Sequence, residues 1–246
     1  MPALNRNIAL ALAYDGSDFH GWQKQPNTRT VEGVLFDAIM QVMKDVTDIF
    51  GVSRTDTGVS AYSYACNFFT NNSIPTENIP RALNSLLPPT IRVFDAAEVP
   101  ENFNSRFSVK KKTYKYKILN AFYNTPFTYK HNWHITKKLD IKAMKKQAKH
   151  LLGEHNFTSF CSGQEERDNK VRTIHKIEIR KCEENIEINI TADGFLYNMV
   201  RIIVGTLVEI GLGKDMNLKE ILEARDRTKA GQTAPASGLF LYAAEY

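Results

Sequence analysis

Arg54 and Asp56 lie two residues apart in the segment Arg54–Gly58, RTDTG, and together they could form part of a catalytic site. An arginine beside a carboxylate keeps it ionised at neutral pH, so that it can act as a base or as a nucleophile. An aspartate in a turn rich in Thr and Gly also commonly accepts backbone N–H bonds, as an Asx turn or a helix cap. The residues themselves leave the catalytic and the structural interpretation open.

Arg201 is a second candidate, because it interrupts the apolar stretch Met199–Val204. A buried guanidinium needs a carboxylate or phosphate partner, since desolvating it unpaired costs much free energy. If Arg201 is buried, we expect a distant acidic side chain to contact it. The alternative is that the side chain extends along the helix edge to reach water.

The segment 110–150 carries 12 lysines and one acidic residue, Asp140, so its net charge is +11 in a chain whose net charge is +5. Such an asymmetry is typical of proteins that bind a polyanion, with nucleic acid as the first interpretation and an anionic membrane as the second. A solvated, lysine-rich surface is the plain alternative.

A helix predicted over Asp140–Leu152 places much of this charge on one side. Its apolar arc is formed by Ile141, Met144, Ala148, Leu151 and Leu152, and its neighbouring arc carries Lys142, Lys145, Lys146 and Lys149. We expect the lysine arc to contact phosphates. Tyr114 and Tyr116, in the nearby Lys110–Lys117 cluster, could stack on unpaired bases or could equally belong to the core.

Composition and length predict a globular protein with a sizeable core, since 43% of the 246 residues are hydrophobic and 24% are charged. The chain has three cysteines, Cys66, Cys161 and Cys182, which are widely spaced and form no CxxC pair. This pattern indicates reduced thiols in a cytoplasmic protein. His131 and His134 lack the partners of a zinc site. The apolar runs Ile8–Tyr14 and Phe195–Ile210 do not predict a membrane span, because the first is too short and Arg201 interrupts the second.

Hydrophobic periodicity predicts an α+β protein with the order β-α-β-β-α-β in each half, the pattern of a ferredoxin-like unit. In the first half we predict strands over Ile8–Tyr14, Thr47–Ser53, Ala61–Thr70 and Ile91–Val99, and helices from a Thr30 cap to about Lys44 and, capped by Thr76, over Glu77–Leu86. In the second half we predict strands over Lys112–Asn120, Val171–Cys182, Ile186–Ala192 and Gly238–Ala244, and helices over Asp140–Leu152, Phe195–Ile210 and Leu218–Ala224. The predicted domains are 1–107 and 108–246, with a cleft between them.

Several segments, met in the expected order, resemble the tRNA pseudouridine synthase A family. RTDTGVSA at Arg54–Ala61 resembles the family signature RTDAGVHA. The others are YDGSDFHGWQKQP (Tyr14–Pro26), RFSVKKKTYKYKI (Arg106–Ile118), FTSF (Phe157–Phe160), VRTI (Val171–Ile174), GFLYNMVRIIVGTL (Gly194–Leu207) and APASGLFL (Ala234–Leu241). The resemblance covers essentially the whole chain.

This resemblance implies the pseudouridine synthase fold, with two ferredoxin-like halves that share a mainly antiparallel sheet around a central RNA-binding cleft. It implies isomerisation of uridine to pseudouridine in the anticodon arm of tRNA, at positions 38, 39 and 40, by a homodimer that needs no cofactor and no metal. Asp56 matches the catalytic aspartate, and Arg54 matches the arginine that assists flipping of the target nucleotide. Tyr114 matches the tyrosine that stacks on the base, and Arg201 matches the basic residue that pairs with the aspartate.

Three departures from the family pattern surround the motif: Ser53 replaces a glycine, Thr57 an alanine and Ser60 a histidine. A Cβ at position 53 narrows the backbone conformations open to the residue before Arg54. The alternative function is therefore a divergent, non-catalytic RNA-binding protein or tRNA chaperone on the same scaffold. A membrane-surface protein is less consistent with the sequence, because the lysine helix lacks an apolar face rich in Trp and Phe.

Overall fold

The computed structural model describes residues 6–163 and 169–246, and the chain divides into two compact units, Met1–Lys110 with Leu241–Tyr246, and Lys111–Phe240. The strands are β1 Arg6–Tyr14, β2 Phe50–Gly51, β3 Ser60–Thr70, β4 Ile91–Val99, β5 Lys111–Leu119, β6 Trp133–His134, β7 Gly153–Asn156, β8 Val171–Cys182, β9 Asn185–Ala192 and β10 Leu239–Glu245. The α-helices are α1 Val31–Met43, α2 Ile79–Asn84, α3 Ile141–Ala148, α4 Met199–Gly211 and α5 Leu218–Ala224. The predicted α+β class, with mostly antiparallel strand pairing, is confirmed.

The first unit has the strand order β4-β1-β3-β10, and β2 pairs with β3. The elements β1, α1, β2, β3, α2 and β4 follow the predicted order along the chain. Helix α1 begins as predicted, because the Thr30 side chain accepts the Gly33 N–H at 3.2 Å. It ends at Met43, because the next residue, Lys44, adopts a left-handed φ of 73°.

The second unit has the strand order β5-β9-β8-β7, and β6 pairs in parallel with β5. Strands β8 and β9 form the predicted hairpin, which turns at Glu183 with a φ of 53°. In α3 the Asp140 side chain accepts the N–H groups of Lys142 and Ala143, at 2.9 and 3.0 Å, and so caps the helix. Strands β6 and β7 were not predicted, since two and four residues are too few to show an alternating pattern.

Three predicted helix limits are wrong. Helix α4 begins at Met199 rather than Phe195, because Asn198 adopts a left-handed φ of 60° that an α-helix cannot contain. Helix α3 ends at Ala148 and is followed by a short 3₁₀ turn, so Leu152 lies beyond the apolar face and is 42% exposed. Thr76 does not cap a helix, since it opens a 3₁₀ turn that precedes the six-residue α2.

Across residues 6–163 and 169–246, no helix has both the length and the apolar character that crossing a membrane requires.

Candidate active site

The segment Arg54–Gly58 forms a loop between β2 and β3, and the chain between β1 and α1 holds it in place. The Trp22 N–H donates to the Thr55 carbonyl oxygen at 3.2 Å, and the Gly58 N–H donates to the Phe19 carbonyl oxygen at 3.3 Å. Within the loop, the Val59 N–H donates to the Asp56 carbonyl oxygen at 3.1 Å. The Asp56 backbone is therefore positioned by bonds that do not involve its side chain.

Gly21 brings these two segments unusually close together. Its φ is +81°, and a Cβ at this position would lie 2.5 Å from the Thr55 carbonyl oxygen. Real Cβ atoms do not approach a backbone oxygen so closely, and the left-handed φ also favours glycine. The close packing of the loop against residue 21 thus depends on the absence of a side chain.

A buried aromatic cluster of Tyr14, Trp22 and Tyr64 packs next to the loop and hydrogen-bonds to it. The rings of Trp22 and Tyr64 stack with centroids 4.0 Å apart, and Tyr14 lies 5.5 Å from Tyr64. The Tyr14 hydroxyl is hydrogen-bonded to the Thr55 hydroxyl at 2.9 Å, and the Tyr64 hydroxyl donates to the Ser53 carbonyl oxygen at 2.5 Å. Both neighbours of Arg54 are therefore fastened to the core.

Burial differs sharply among consecutive loop residues. Thr55 is buried, Asp56 is half-buried, and Arg54 and Thr57 are exposed. The loop thus buries the residue between its two charged candidates and leaves the Arg54 guanidinium open to a ligand. This arrangement suits a carboxylate and a guanidinium that act on a bound molecule.

The three departures from the family pattern are accommodated locally. Ser53 is not among the residues with a left-handed φ in the part of the chain that the structure describes, so its Cβ introduces no backbone strain. The Ser60 hydroxyl accepts the Gly16 N–H at 2.9 Å in a buried position. Thr57 is exposed. None of the three disturbs the hydrogen bonds that hold the loop.

In the second unit, Tyr114 lies on β5 opposite Ile190 of β9 and is buried. Its ring meets Phe195 edge to face, with centroids 5.1 Å apart. Tyr116 is more deeply buried, and its hydroxyl donates to the Pro235 carbonyl oxygen at 2.7 Å. Burial raises the pKa of the Tyr116 hydroxyl, and the nearby charge of Arg201 opposes that rise. Tyr116 is therefore a core residue, and stacking by Tyr114 on a base stays a prediction.

Arg201 is half-buried at the N-terminal end of α4, and backbone and amide oxygens orient its guanidinium. Its Nε donates to the Ala234 carbonyl oxygen at 2.7 Å, and its Nη1 donates to Asn198 Oδ1 at 2.8 Å. The Ala234 N–H in turn donates to the Arg201 carbonyl oxygen at 3.1 Å. These bonds set the direction of the side chain, while its pairing with Asp56 stays a prediction.

The segment Gly231–Ala234, which supplies an Arg201 partner, is itself bonded to α4. The Gly231 N–H donates to the Thr206 hydroxyl at 2.9 Å, and the Gln232 N–H donates to Glu209 Oε1 at 3.0 Å. Burial acts to raise the pKa of Glu209, but hydrogen bonds from Lys214 and Gln232 together bring that pKa below its ordinary value. Glu209 is thus ionised at neutral pH, and its carboxylate holds the Gln232 backbone next to α4.

The four predicted lysines of the α3 region are exposed: Lys142, Lys145, Lys146 and Lys149. Met144 and Ala148 on the opposite side are buried, as predicted. The region thus presents ammonium groups to solvent, as a phosphate-binding surface would require.

Sequence reasoning missed Trp22, Tyr64, Phe195 and Glu32 as parts of these sites. Glu32 lies two residues after the Thr30 cap, in the first turn of α1. An acidic residue is common there because the helix dipole favours it, so its position alone did not indicate a role in the site. Within residues 6–163 and 169–246, no group of three or more His, Cys, Asp or Glu side chains is placed to hold a metal ion. His134, one of the two candidate histidines, has Nε2 2.9 Å from the Ala121 carbonyl oxygen.

Comparison with known proteins gives similarities over most of the chain. A family model described as tRNA pseudouridine synthase matches residues 10–108 and 147–246. The chain is 47% identical over 238 residues to a tRNA pseudouridine synthase A of Thermoanaerobacter sp. (strain X514), covering 96% of this chain and 98% of the relative. It is 45% identical over 238 residues to the protein of that name from Caldicellulosiruptor saccharolyticus, with the same coverage. The protein of that name from Acetivibrio thermocellus is 40% identical over 243 residues, with 98% and 100% covered.

Proposed function

The chain belongs to the tRNA pseudouridine synthase family, whose members isomerise uridine in tRNA, and on that premise we propose that it acts on the anticodon arm through Asp56. The observation that carries the proposal is the loop Arg54–Gly58, which fastens Thr55 to the core and leaves Arg54 exposed and Asp56 half-buried. The target uridines we propose are those at positions 38, 39 and 40.

The reaction requires four changes of bonding at one nucleotide, since two bonds break and two form. The bond between N1 of uracil and C1′ of ribose breaks, the base rotates, and C5 bonds to C1′ while the C5 hydrogen leaves as a proton and N1 gains one. Asp56 acts in one of three ways: its carboxylate attacks C1′ of ribose and displaces N1 of uracil, it adds to C6 of uracil, or it assists proton loss. In the two covalent alternatives the bond to Asp56 breaks again before the product is released. A stacked uridine does not expose these atoms, so the nucleotide must be flipped out first.

We assign the remaining roles to residues that the two units hold in defined positions. Arg54, exposed between fastened neighbours, assists nucleotide flipping by contact with the RNA. Tyr114 stacks on the flipped base, and Arg201 pairs with the Asp56 carboxylate and keeps it ionised. No step of this scheme uses a cofactor. A homodimeric assembly and a cytoplasmic location complete the proposal. The family resemblance alone supports the homodimer, and the widely spaced cysteines support the location.

Tritium release from tRNA labelled at C5 of uridine tests the proposed target directly, because forming the new C5–C1′ bond expels that hydrogen. With a tRNA transcript that has uridines at 38, 39 and 40, the wild-type chain should release tritium from those sites. A transcript with cytidine at all three positions should release none. Equal release from both transcripts would place the reaction outside positions 38, 39 and 40.

Neutralising the four exposed lysines of the α3 region should weaken tRNA binding and reduce its salt dependence. If Lys142, Lys145, Lys146 and Lys149 each contact a phosphate, their replacement by Gln should flatten the slope of log K against log salt by about 3. The measurement is a series of binding titrations at increasing salt concentration.

A matched control removes the same net charge by replacing four exposed lysines outside α3 with Gln: Lys176, Lys181, Lys219 and Lys229. These replacements to Gln should leave the slope nearly unchanged. If both quadruple variants give the wild-type slope, the lysines of α3 are solvated and do not bind tRNA.

A further inference from the structure

Glu32 is a carboxylate in the first turn of α1 that is only 8% exposed. Its Oε2 accepts the Gln23 Nε2–H at 2.7 Å and the Lys24 backbone N–H at 2.6 Å. The Trp22 side chain is a further hydrogen-bond donor to it. A buried carboxylate needs such partners, and here all three come from consecutive residues of the chain between β1 and α1.

The same three residues belong to the segment that holds the Arg54–Gly58 loop. The Glu32 N–H donates to the Trp22 carbonyl oxygen at 3.0 Å, and the Trp22 N–H donates to the Thr55 carbonyl oxygen at 3.2 Å. The Trp22 ring also stacks on Tyr64, whose hydroxyl bonds to Ser53. Through Trp22, Glu32 is thus connected to the residues on both sides of Arg54.

Charge connects Glu32 to Arg54 as well. Burial raises the pKa of Glu32, while the hydrogen bonds from Lys24 and Trp22 and the positive charges of Arg54 and Lys24 act to lower it. Because the interaction is reciprocal, the ionised Glu32 carboxylate attracts the Arg54 guanidinium.

The raised pKa has a consequence for stability. A carboxyl group whose pKa is higher in the folded than in the unfolded chain stabilises the fold at low pH. This contribution is lost as the pH rises from 4.5 to the pKa of the folded chain. Over that pH range Glu32 therefore contributes less to the stability of the fold.

We propose that Glu32 is a positioning residue, which holds the Trp22–Lys24 segment and attracts the Arg54 guanidinium, so that Arg54 can assist nucleotide flipping. The proposal rests on the proposed function, because it assumes that Arg54 acts on tRNA. Glu32 itself does not touch the substrate.

Glu32→Gln tests this proposal, since the amide oxygen can still accept both N–H groups while the charge is removed. We expect kcat to fall by about tenfold or more, because small errors in positioning cost up to about 10²-fold in rate. The melting temperature should stay unchanged or rise, and tRNA affinity should stay within about threefold. A fall in melting temperature together with kcat would overturn the proposal, because a purely structural residue behaves in that way.

The matched control is Glu220→Gln, which removes an exposed carboxylate from the first turn of α5 and should leave kcat unchanged. Arg54→Lys then shows whether Glu32 acts through Arg54. In single-turnover measurements with excess enzyme, adding Glu32→Gln to Arg54→Lys should slow the reaction by less than about threefold, because the two residues act as a unit. An equal loss in both backgrounds would overturn the proposal.

Failure of this proposal is distinct from failure of the proposed function. If the wild-type chain releases tritium from the transcript with uridines at 38–40 and Glu32→Gln retains full kcat, only the role of Glu32 is wrong. If the wild-type chain releases none from that transcript, the proposed target is wrong, and the role of Glu32, which assumes it, falls as well.

Discussion

Replacing Asp56 with Asn should abolish pseudouridine formation while tRNA affinity stays within a few-fold of wild type. The loop backbone is held by bonds from Trp22, Gly58 and Val59 that the side-chain change does not touch, so the variant should fold and bind. Asparagine is nearly the same size as aspartate but is neither a base nor a nucleophile at neutral pH. We expect turnover to fall by at least about 10³-fold, as is typical when a catalytic nucleophile is removed.

Tritium release measures the turnover of this variant, and binding at one fixed salt concentration measures its affinity. Asp37→Asn is the control, because Asp37 is exposed on α1 in the same unit and its replacement removes the same charge. That variant should keep wild-type turnover. Turnover that survives in Asp56→Asn would show that the mechanism proposed for this chain is wrong.

Replacing Gly205 with Ala should destabilise the fold, although alanine is the better helix former. In an exposed helix this change stabilises by up to about 1 kcal/mol. Here a Cβ at position 205 would lie 1.8 Å from the Gln232 carbonyl oxygen, so the segment Gly231–Ala234 must move away from α4. We expect a loss of about 3 kcal/mol in the free energy of unfolding, which urea denaturation would measure.

The same displacement should also lower kcat, because Ala234 supplies the carbonyl oxygen that orients Arg201. Gly211→Ala on the same helix is the matched control, since its Cβ would meet the side chains of Met144 and Leu139 rather than backbone. That variant should change stability by less than about 1 kcal/mol. If Gly205→Ala instead raised the stability, the close contact between α4 and Gln232 would be wrong.

The elements that the sequence predicts best are those with local causes. Helix α1 is bounded by a threonine cap and has apolar residues at helical spacing, and both signals lie within the element itself. The start of α4 was predicted four residues too early, because Phe195 and Leu196 are apolar but do not belong to the helix. Their apolar character serves packing in the residues before it. Leu196 is buried and Phe195 packs on Tyr114, which lies more than 80 residues earlier in the chain.

The residues of the candidate site also differ in whether a local signal in the sequence identifies them. Arg54 and Asp56 stand out in the sequence because a single short motif contains both. Glu32 could not be identified as a positioning residue, since its importance depends on Trp22 and on the contact between Trp22 and Thr55. Such contacts between distant segments exist only in the folded chain.

Mapping pseudouridine in tRNA shows whether Asp56 catalyses the modification of positions 38, 39 and 40. An unmodified tRNA transcript with uridines at 38, 39 and 40 is incubated with the wild-type chain or with Asp56→Asn, and pseudouridine is located by carbodiimide adducts and primer extension. We predict new pseudouridine at these three positions with the wild-type chain and none with the variant. Pseudouridine found only outside the anticodon arm, or formed equally by the variant, would contradict the account.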